Sequence, residues 1–483
     1  MSEDDDWWKN IPEMDRMYLA KHHRSRIPWW LRRVITRIRN FLDTREYIVF
    51  RGEAIPETIR LCGQCIFFDS PDCRQYRIVR ADSQANRCTK YVSKGVSEDL
   101  QPKTIDQVYE KFKQWLYIED FDVIDTTIAA SCDRRISGLP IWFMIIGAPG
   151  SIKTVLLMAM LGIPDTFKID SMTSRSIISG RSSGEKGEPV RGLAVEADGK
   201  VLVFTDFTDI LSLPKFERGA IFGQMRSWFD GHLARRYGMY DRTIDVDSKV
   251  GLIAAAVPFV DHYTSLQTAL GERYLKYRYR QSRQEALNKA KERAGEEDQM
   301  AYELRTCIAY YFRNLNFTNI PHRSDEISTL IGFYADIATR LRTFVPREHD
   351  IAIEIEQPTR LCKQFIKLAT LLAIVRQKQE VTKDELRTIA RVAEDCCSPY
   401  RLRIVKELFR EPAISGIEIS QRTEINRSTT YACLDDLERL KFVTSIEDSA
   451  DKRQTRYSLV EDFKDILAKV YNIGENGEIV HGI

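Results

Sequence analysis

The sequence predicts a multidomain protein built around an α/β core, and three observations carry that prediction. From about 120 to 280, short apolar runs alternate with helical stretches, the signature of a sheet flanked by helices. One of those runs, Ile141–Ile146, enters a Gly/Pro-rich turn that opens another apolar helical stretch. On either side lie distinct patterns: four cysteines at Cys62, Cys65, Cys73 and Cys88, and a compact helix-and-strand pattern over 398–460.

Composition sets the bounds. The chain has 483 residues, 43% hydrophobic and 29% charged. That is room for two to four domains, each with its own core, and it excludes disorder along the whole length. No apolar run approaches the roughly 18 residues of a membrane span. The stretch Ser2-Glu3-Asp4-Asp5-Asp6 is unlike a secretory leader, so an intracellular, cytoplasmic protein is expected. Ten cysteines in such a chain argue against a disulfide scaffold. The net charge of +2 excludes a histone-like polycation but not a local basic face.

Taken in order, residues 1–59 read as a basic amphipathic arm. Trp30, Val34, Ile38 and Phe41 recur at helical spacing, with Arg32, Arg33, Arg37 and Arg39 between them. Such a helix packs on its own protein, on DNA or a partner, or on a membrane surface. Residues 60–94 hold the cysteine cluster and 95–104 read as a linker. The α/β core spans 105–282, beginning with a helix over about 105–118. A helical region follows over 283–397, with the charged stretch Gln284–Asp298 as a solvated helix. A separate unit occupies 398–465, and 466–483 is left as a C-terminal tail.

The strongest motif is Gly147-Ala148-Pro149-Gly150-Ser151-Ile152-Lys153-Thr154. It lies between an apolar strand and a helix, the context of a P-loop, so the core is read as a P-loop NTPase. Glycines let backbone N–H groups turn toward phosphate. Lys153 would reach the β- and γ-phosphates of ATP, and the Thr154 hydroxyl would ligate Mg²⁺. Ile152 stands where a glycine usually precedes the lysine. A side chain there is expected to crowd the loop or alter its dihedrals. The run Val201-Leu202-Val203-Phe204 leads into Thr205-Asp206-Phe207-Thr208-Asp209. Asp206 is the candidate Mg²⁺-side carboxylate. Two registers are open. Either Asp206 takes the metal position and Phe207 replaces the second acid, or Thr205 takes the metal position and Asp206 is the second acid. One acid is missing in both, so turnover is expected to be slow unless Asp209 contributes.

The order of motifs over 140–400 resembles an AAA+ ATPase, in its details the MCM-like branch of mobile-element replication ATPases. Gly192-Leu193-Ala194-Val195-Glu196-Ala197-Asp198-Gly199 is similar to the approach to that branch's acidic strand. Ala254-Ala255-Ala256-Val257-Pro258 resembles the sensor-1 strand, with Val257 in place of Asn. Leu270-Gly271-Glu272-Arg273-Tyr274-Leu275 resembles the segment bearing the arginine finger. Glu356-Gln357-Pro358-Thr359-Arg360 is similar to the start of sensor 2. The resemblance implies that Arg273 reaches a neighbouring subunit's ATP, that Arg360 meets the phosphates from the helical lid, and that the protein is a homo-oligomeric ring or open ring. In that family the interval around Asp230–Gly238 carries a pore hairpin. Arg235, Arg236, Arg242 and Lys249 would then follow a DNA backbone, with Tyr237 or Tyr240 stacking on bases. A solvated surface hairpin is the alternative.

Cys62-x2-Cys65-x7-Cys73-x14-Cys88 supplies four soft ligands within 27 residues, which favours a closed structural Zn²⁺ site, with an iron–sulfur cluster as the alternative. Nearby Arg74, Arg77, Arg80, Lys90 and Lys94 suit a DNA-touching or interface module. The 398–460 pattern resembles the winged helix-turn-helix fold of transcription regulators. Its third helix, Arg427–Leu440, would place Arg427, Ser428, Thr429, Thr430 and Tyr431 toward DNA bases, with Leu434, Leu437 and Leu440 inward. Lys452, Arg453 and Arg456 would lie on the wing. Asp435, Asp436 and Glu438 make the helix less basic than a DNA reader usually is, so a protein-binding winged helix is the rival. The expected function is an ATP-driven DNA motor, a helicase or replication initiator of a mobile element or phage, with possible replication or recombination partners. The alternative is a nucleotide-switched DNA-binding regulator or scaffold that does not unwind.

Overall fold

Apolar strands such as Trp142–Ile146 and Val201–Phe204 need cover on both faces, and the computed structural model supplies it. It describes residues 97–178, 192–237, 242–263, 272–346, 352–447, 455–474 and 478–482, all within one unit, Val96–Ile483. The basic stretch Ile27–Leu42 and the four clustered cysteines lie outside the described residues.

Helices α1 (Ile105–Trp115) and α2 (Asp122–Ser131) come first. The core continues with β1 (Trp142–Ile146), α3 (Lys153–Ala159), β2 (Thr166–Ile169), β3 (Val201–Phe204) and α4 (Lys215–Asp230). A hairpin, β4 (His232–Tyr237) and β5 (Arg242–Asp247), precedes β6 (Gly251–Ala256) and β7 (Tyr274–Arg278). Strands β1, β2, β3, β6 and β7 form one parallel sheet in the order β2-β3-β6-β1-β7. Its side chains alternate between two cores. Phe143, Ile145, Val203, Ile253 and Tyr277 enter one, and Trp142, Met144, Phe204, Leu252 and Tyr274 enter the other. Buried indoles are satisfied: Trp142 Nε1 donates to Val250 O at 3.0 Å and Trp228 Nε1 to Ser248 Oγ at 2.9 Å.

The region expected to be a lid forms α5 (Arg283–Glu292), α6 (Glu297–Arg313), α7 (Asp325–Arg342), α8 (Thr359–Val375) and α9 (Lys383–Cys396). Its charged start is a solvated helix, as the composition predicts: α5 buries no residue, and Gly295, at φ +92°, separates it from α6. Helices α6 to α9 instead pack against the first face of the sheet in one continuous core. Two polar anchors fix them there. Lys367 of α8 pairs with fully buried Asp133 at 2.6 Å, whose Oδ1 accepts from Ile141 N at 3.0 Å. Arg376 joins Asp122 and Asp125 of α2 to Glu385 of α9. An edge strand leaves N–H groups unpaired, and α9 covers those of β7. Asp395 Oδ2 accepts from Arg278 N at 2.7 Å, and Cys396 Sγ accepts from Lys276 N at 3.3 Å.

The C-terminal elements are α10 (Pro399–Arg410), β8 (Ile414–Ser415), α11 (Gly416–Thr423), α12 (Arg427–Arg439), β9 (Val443–Glu447), β10 (Thr455–Leu459), α13 (Glu461–Ala468), β11 (Tyr471–Ile473) and β12 (Ile479–His481). Strands β8, β10 and β9 form a three-stranded sheet beside the helices. The segment left as a tail is structured: it completes α13 and forms the β11–β12 ribbon. Tyr471 OH donates to Glu394 Oε1 at 2.8 Å, and His481 Nδ1 lies 3.1 Å from Tyr334 OH. Apolar residues spaced for burial, Phe463, Leu467, Val470 and Tyr471, carry that packing. No helix among the described residues is long and apolar enough to cross a membrane.

The β7 clamp makes a pH prediction. Burial pushes the Asp395 carboxyl from its ordinary 3.8 up to about 6. Between those values the folded chain holds a proton that the unfolded chain has released. The group's contribution to stability is therefore complete below about pH 4 and is lost as pH rises to about 6. Asp395→Asn removes that titration. The melting temperature of the variant, relative to the parent, is expected to rise steadily across pH 4 to 6; a difference that stays level over this window would refute the assignment.

Candidate functional site

The chain leaves β1 through the loop 147–152 and turns into α3. Gly150 adopts φ +75°, which glycine alone accepts without strain, and a Cβ on Gly147 would lie 3.0 Å from Tyr279 O. Ile152 does not crowd the loop. It sits at φ −63° and ψ −6°, an ordinary right-handed conformation, and its side chain is buried beneath the loop in the helical core. Glycine's freedom is not needed there, and a branched aliphatic is held by burial.

Lys153 is 6% exposed and folds back over the loop. Its Nζ donates to Gly147 O at 2.8 Å, Ala148 O at 2.6 Å and Ser151 Oγ at 2.9 Å. Burial lowers its pKa, and the charge of Asp206 opposes that shift. Register explains the proximity. Phe204 pairs with Ala254, and Ala254 with Met144, so Asp206 lies level with Ile146 at the same end of the sheet, about 10 Å away across two ladders. Asp206 is exposed, and its Oδ1 accepts from Thr208 N at 2.8 Å. Thr154 is exposed on the first turn of α3. The structure therefore brings Lys153, Thr154 and Asp206 to the same end of the sheet.

The neighbours of Asp206 are informative. Phe207 is fully buried, and Asp209 is exposed on the following helical turn. Thr205 donates to Asp170 Oδ1 at 3.3 Å, so β2 brings a further carboxylate that the motif reading missed. Nothing local in the sequence marks Asp170; only the pairing of β2 with β3 does. Val257, the residue after β6, is half-buried.

The two arginines taken from the family resemblance lie elsewhere in the chain. Arg273 precedes β7, whose first residue pairs with Trp142, the start of β1. It is therefore roughly 20 Å along the strands from the loop. It pairs with Asp230 at 2.9 Å and lies over the Phe229 ring. Arg360 is at that same end: one turn on, Gln364 donates to Pro140 O at 3.2 Å and Arg273 O at 3.0 Å. Arg360 itself pairs with Glu356 at 3.0 Å. Arg360 thus lies at the opposite end of the sheet from the Lys153 loop of its own chain. Helix α8 is anchored at the opposite end of the sheet by Gln364 and Lys367.

The interval between the acidic strand and β6 is a hairpin, as expected, and its tip lies outside the described residues. Arg236 is exposed; Arg235 donates to Ser174 O at 2.7 Å. The exposed face also carries acids. Asp247 lies 2.8 Å from His232 Nδ1, and Asp245 lies 3.7 Å from its Nε2. The hairpin is thus less uniformly basic than its arginines suggest.

In the C-terminal unit, Asn426 caps α12 through Thr429 N at 2.8 Å. Arg427, Ser428 and Tyr431 are exposed, and Thr429 is partly so. Thr430, taken as a base-contacting residue, is fully buried: its hydroxyl donates to Asn426 O at 3.1 Å. Helical periodicity explains the correction, because residue 430 shares its face with the buried Leu434 and Leu437. Asp436 also turns inward, paired with Arg401 at 2.7 Å, so it does not weigh against a basic outer face. Leu434, Leu437 and Leu440 are buried as predicted. Lys452 and Arg453 lie outside the described residues. Among those residues, no group of three or more His, Cys, Asp or Glu side chains is placed to hold a metal.

No protein-family profile and no curated protein matches the chain.

The contrast within α12 can be measured. Thr430→Val leaves the residue's volume but strips a buried hydroxyl from its acceptors, and is expected to cost about 1–2 kcal/mol in urea unfolding. Arg427→Ala is expected to stay within about 0.5 kcal/mol of the parent. Equal costs at the two positions would contradict the assigned faces.

Proposed function

We propose that the chain is an ATP-dependent, DNA-acting motor of the AAA+ type, similar to the MCM-like ATPases of mobile elements, and that it works as an oligomer. A helicase or replication initiator of a phage or integrated element is the form this takes. The observation that carries the reading is the Lys153 loop, closed around its own ammonium, with Asp206 level with it at the same end of a parallel sheet. Ligands of such sheets bind where the strands end and connections leave to either side, which is where this loop lies.

In this reading a triphosphate displaces the carbonyls that hold Lys153 and restores the charge that burial opposes. Thr154 and Asp206 fit Mg²⁺, an ion that takes one or two protein oxygens and completes its shell with water and phosphate. Bound there, it would neutralise developing charge on the phosphates. Arg273 and Arg360, side by side at the far end of the sheet, would serve a neighbouring copy's nucleotide, which makes the oligomer part of the mechanism. Arg427, Ser428, Thr429 and Tyr431 form the proposed DNA face of a winged helix, with Arg236 on the hairpin as a second contact. Cys62, Cys65, Cys73 and Cys88 are proposed to hold one structural Zn²⁺.

A second reading has specific support. The buried Phe207 and the apolar Val257 occupy positions where polar groups would orient water, and this favours a nucleotide-switched DNA-binding regulator that hydrolyses slowly or not at all.

Two measurements test these proposals. ATP hydrolysis by the full chain is expected to rise on adding single-stranded DNA and to fall at least about 100-fold in Lys153→Ala, the scale of losing a transition-state cation. Nucleotide binding without turnover would favour the regulator, and absence of binding would overturn both readings. Elemental analysis is expected to return about one Zn per chain; finding neither Zn nor Fe would end the four-cysteine proposal.

A further inference from the structure

The Lys153 loop is one wall of a larger cavity of about 930 Å³. The other walls come from residues that the motifs did not touch. Strand β7 ends level with Ile146, and Tyr279 N donates to Ile146 O at 2.8 Å, so the chain beyond β7 is held beside the loop. There it runs Arg278-Tyr279-Arg280-Gln281-Ser282-Arg283 into α5. Arg278 is locked in two bonds of 2.8 Å to Asp261. Arg280 and Arg283 also line the cavity; both are exposed, and neither side chain is paired with an acid among the described residues.

Helix α5 presents Ala286, Leu287 and Ala290 to the same space. Residues 286 and 290 are one turn apart and share a face. The helix buries nothing in its own protein, and Leu287 is 49% exposed. Pro258 adds a further apolar surface. Two uncommitted guanidiniums and an uncovered apolar shelf therefore face the loop residues Gly147 to Ser151, which hold the Lys153 ammonium, across a cavity of small-molecule size. A ligand that satisfies all three is an anion at one end and a flat apolar body at the other.

We infer that this wall completes a nucleotide site within one chain. Arg280 and Arg283 bind phosphate oxygens on the side away from Lys153, and the shelf of Ala286, Leu287 and Ala290 receives the base. This rests on the nucleotide-binding reading of the Lys153 loop and adds to it the groups that grip the rest of the molecule. A consequence concerns specificity. The shelf carries no donor or acceptor, and the Gln281 amide oxygen already accepts from Tyr279 OH at 3.0 Å. An apolar surface separates ligands of similar shape weakly, so ATP and GTP are expected to bind within about tenfold of each other.

The test uses the full chain in calorimetric titrations with a slowly hydrolysed ATP analogue and Mg²⁺, and separately with inorganic tripolyphosphate and Mg²⁺. The wall positions Arg280, Arg283 and Leu287 are exposed, so their variants keep the fold; circular dichroism verifies this for them and for the buried Lys153→Ala. Leu287→Asn, which adds polarity without charge beside Arg283, is expected to weaken the analogue at least about tenfold and leave tripolyphosphate within about threefold, because only the base is lost. Arg280→Ser combined with Arg283→Ser is expected to weaken both ligands at least about tenfold. If the parent binds the analogue, Lys153→Ala abolishes that binding and both wall variants bind as the parent does, the inference falls while the loop keeps its role. If the parent binds neither ligand, the underlying reading falls and the inference with it. A preference for ATP over GTP above about 1,000-fold would refute the apolar shelf as the base's seat.

Discussion

Lys153 carries its charge in a buried site whose contacts are neutral acceptors: two backbone carbonyls and a hydroxyl. A cation so placed is costly unless an anion offsets the burial, and the nearest charge, Asp206, is exposed and acts from a distance. The fold works to keep the ammonium there. Ile152 pins the start of α3 into the core, Gly150 takes the one left-handed turn, and the close approach of Tyr279 O requires Gly147 to lack a side chain. A loop held that firmly around an unneutralised charge is organised for an incoming anion, and that constraint underlies the functional proposal.

The sheet separates the charged groups into two ends. Lys153, Asp206 and the arginines after β7 stand where the strands finish; Arg273 and Arg360 stand where they begin. Strand length alone keeps the two sets apart, since five residues intervene on β1. Groups at the far end can serve phosphate chemistry only in another molecule. The proposed oligomer therefore rests on the phosphate-directed roles that the family resemblance gives the two arginines, and not on any interface.

Much of the fold was legible in the sequence, for physical reasons. Strands buried on both faces show as unbroken apolar runs, so β1, β3 and β6 stood out. The leucines of α12 marked its inner face by periodicity. The loop was legible because glycine placement and a lysine at fixed spacing are local requirements. What escaped was non-local. Asp170 joins Thr205 only through strand pairing, and the place of Arg360 depends on how α8 crosses the base of the sheet. Thr430 was misread by its composition: a hydroxyl at a helix start suits base contact, but one turn of helix directs it inward. The arginines after β7 fall in none of the motifs, and only the neighbouring loop gives them a use.

Helix α9 links the two proposed activities. Its Asp395 and Cys396 bond the outer N–H groups of β7, the strand that delivers Arg278 and the cavity wall. The preceding residue, Glu394, bonds Lys406 of α10 at 2.7 Å and accepts from Tyr471 of the C-terminal ribbon. Arg401, on the same helix α10, holds Asp436 inside α12. Three successive side chains on α9 thus connect the strand beside the loop to the helix that positions Arg427. Packed cores shift as units and not by continuous deformation. A ligand that moved the end of β7 would therefore move the C-terminal unit with it or break this clamp. Either outcome would tie nucleotide occupancy to the exposed face of α12, which an ATP-dependent DNA-binding protein requires, whether or not it unwinds.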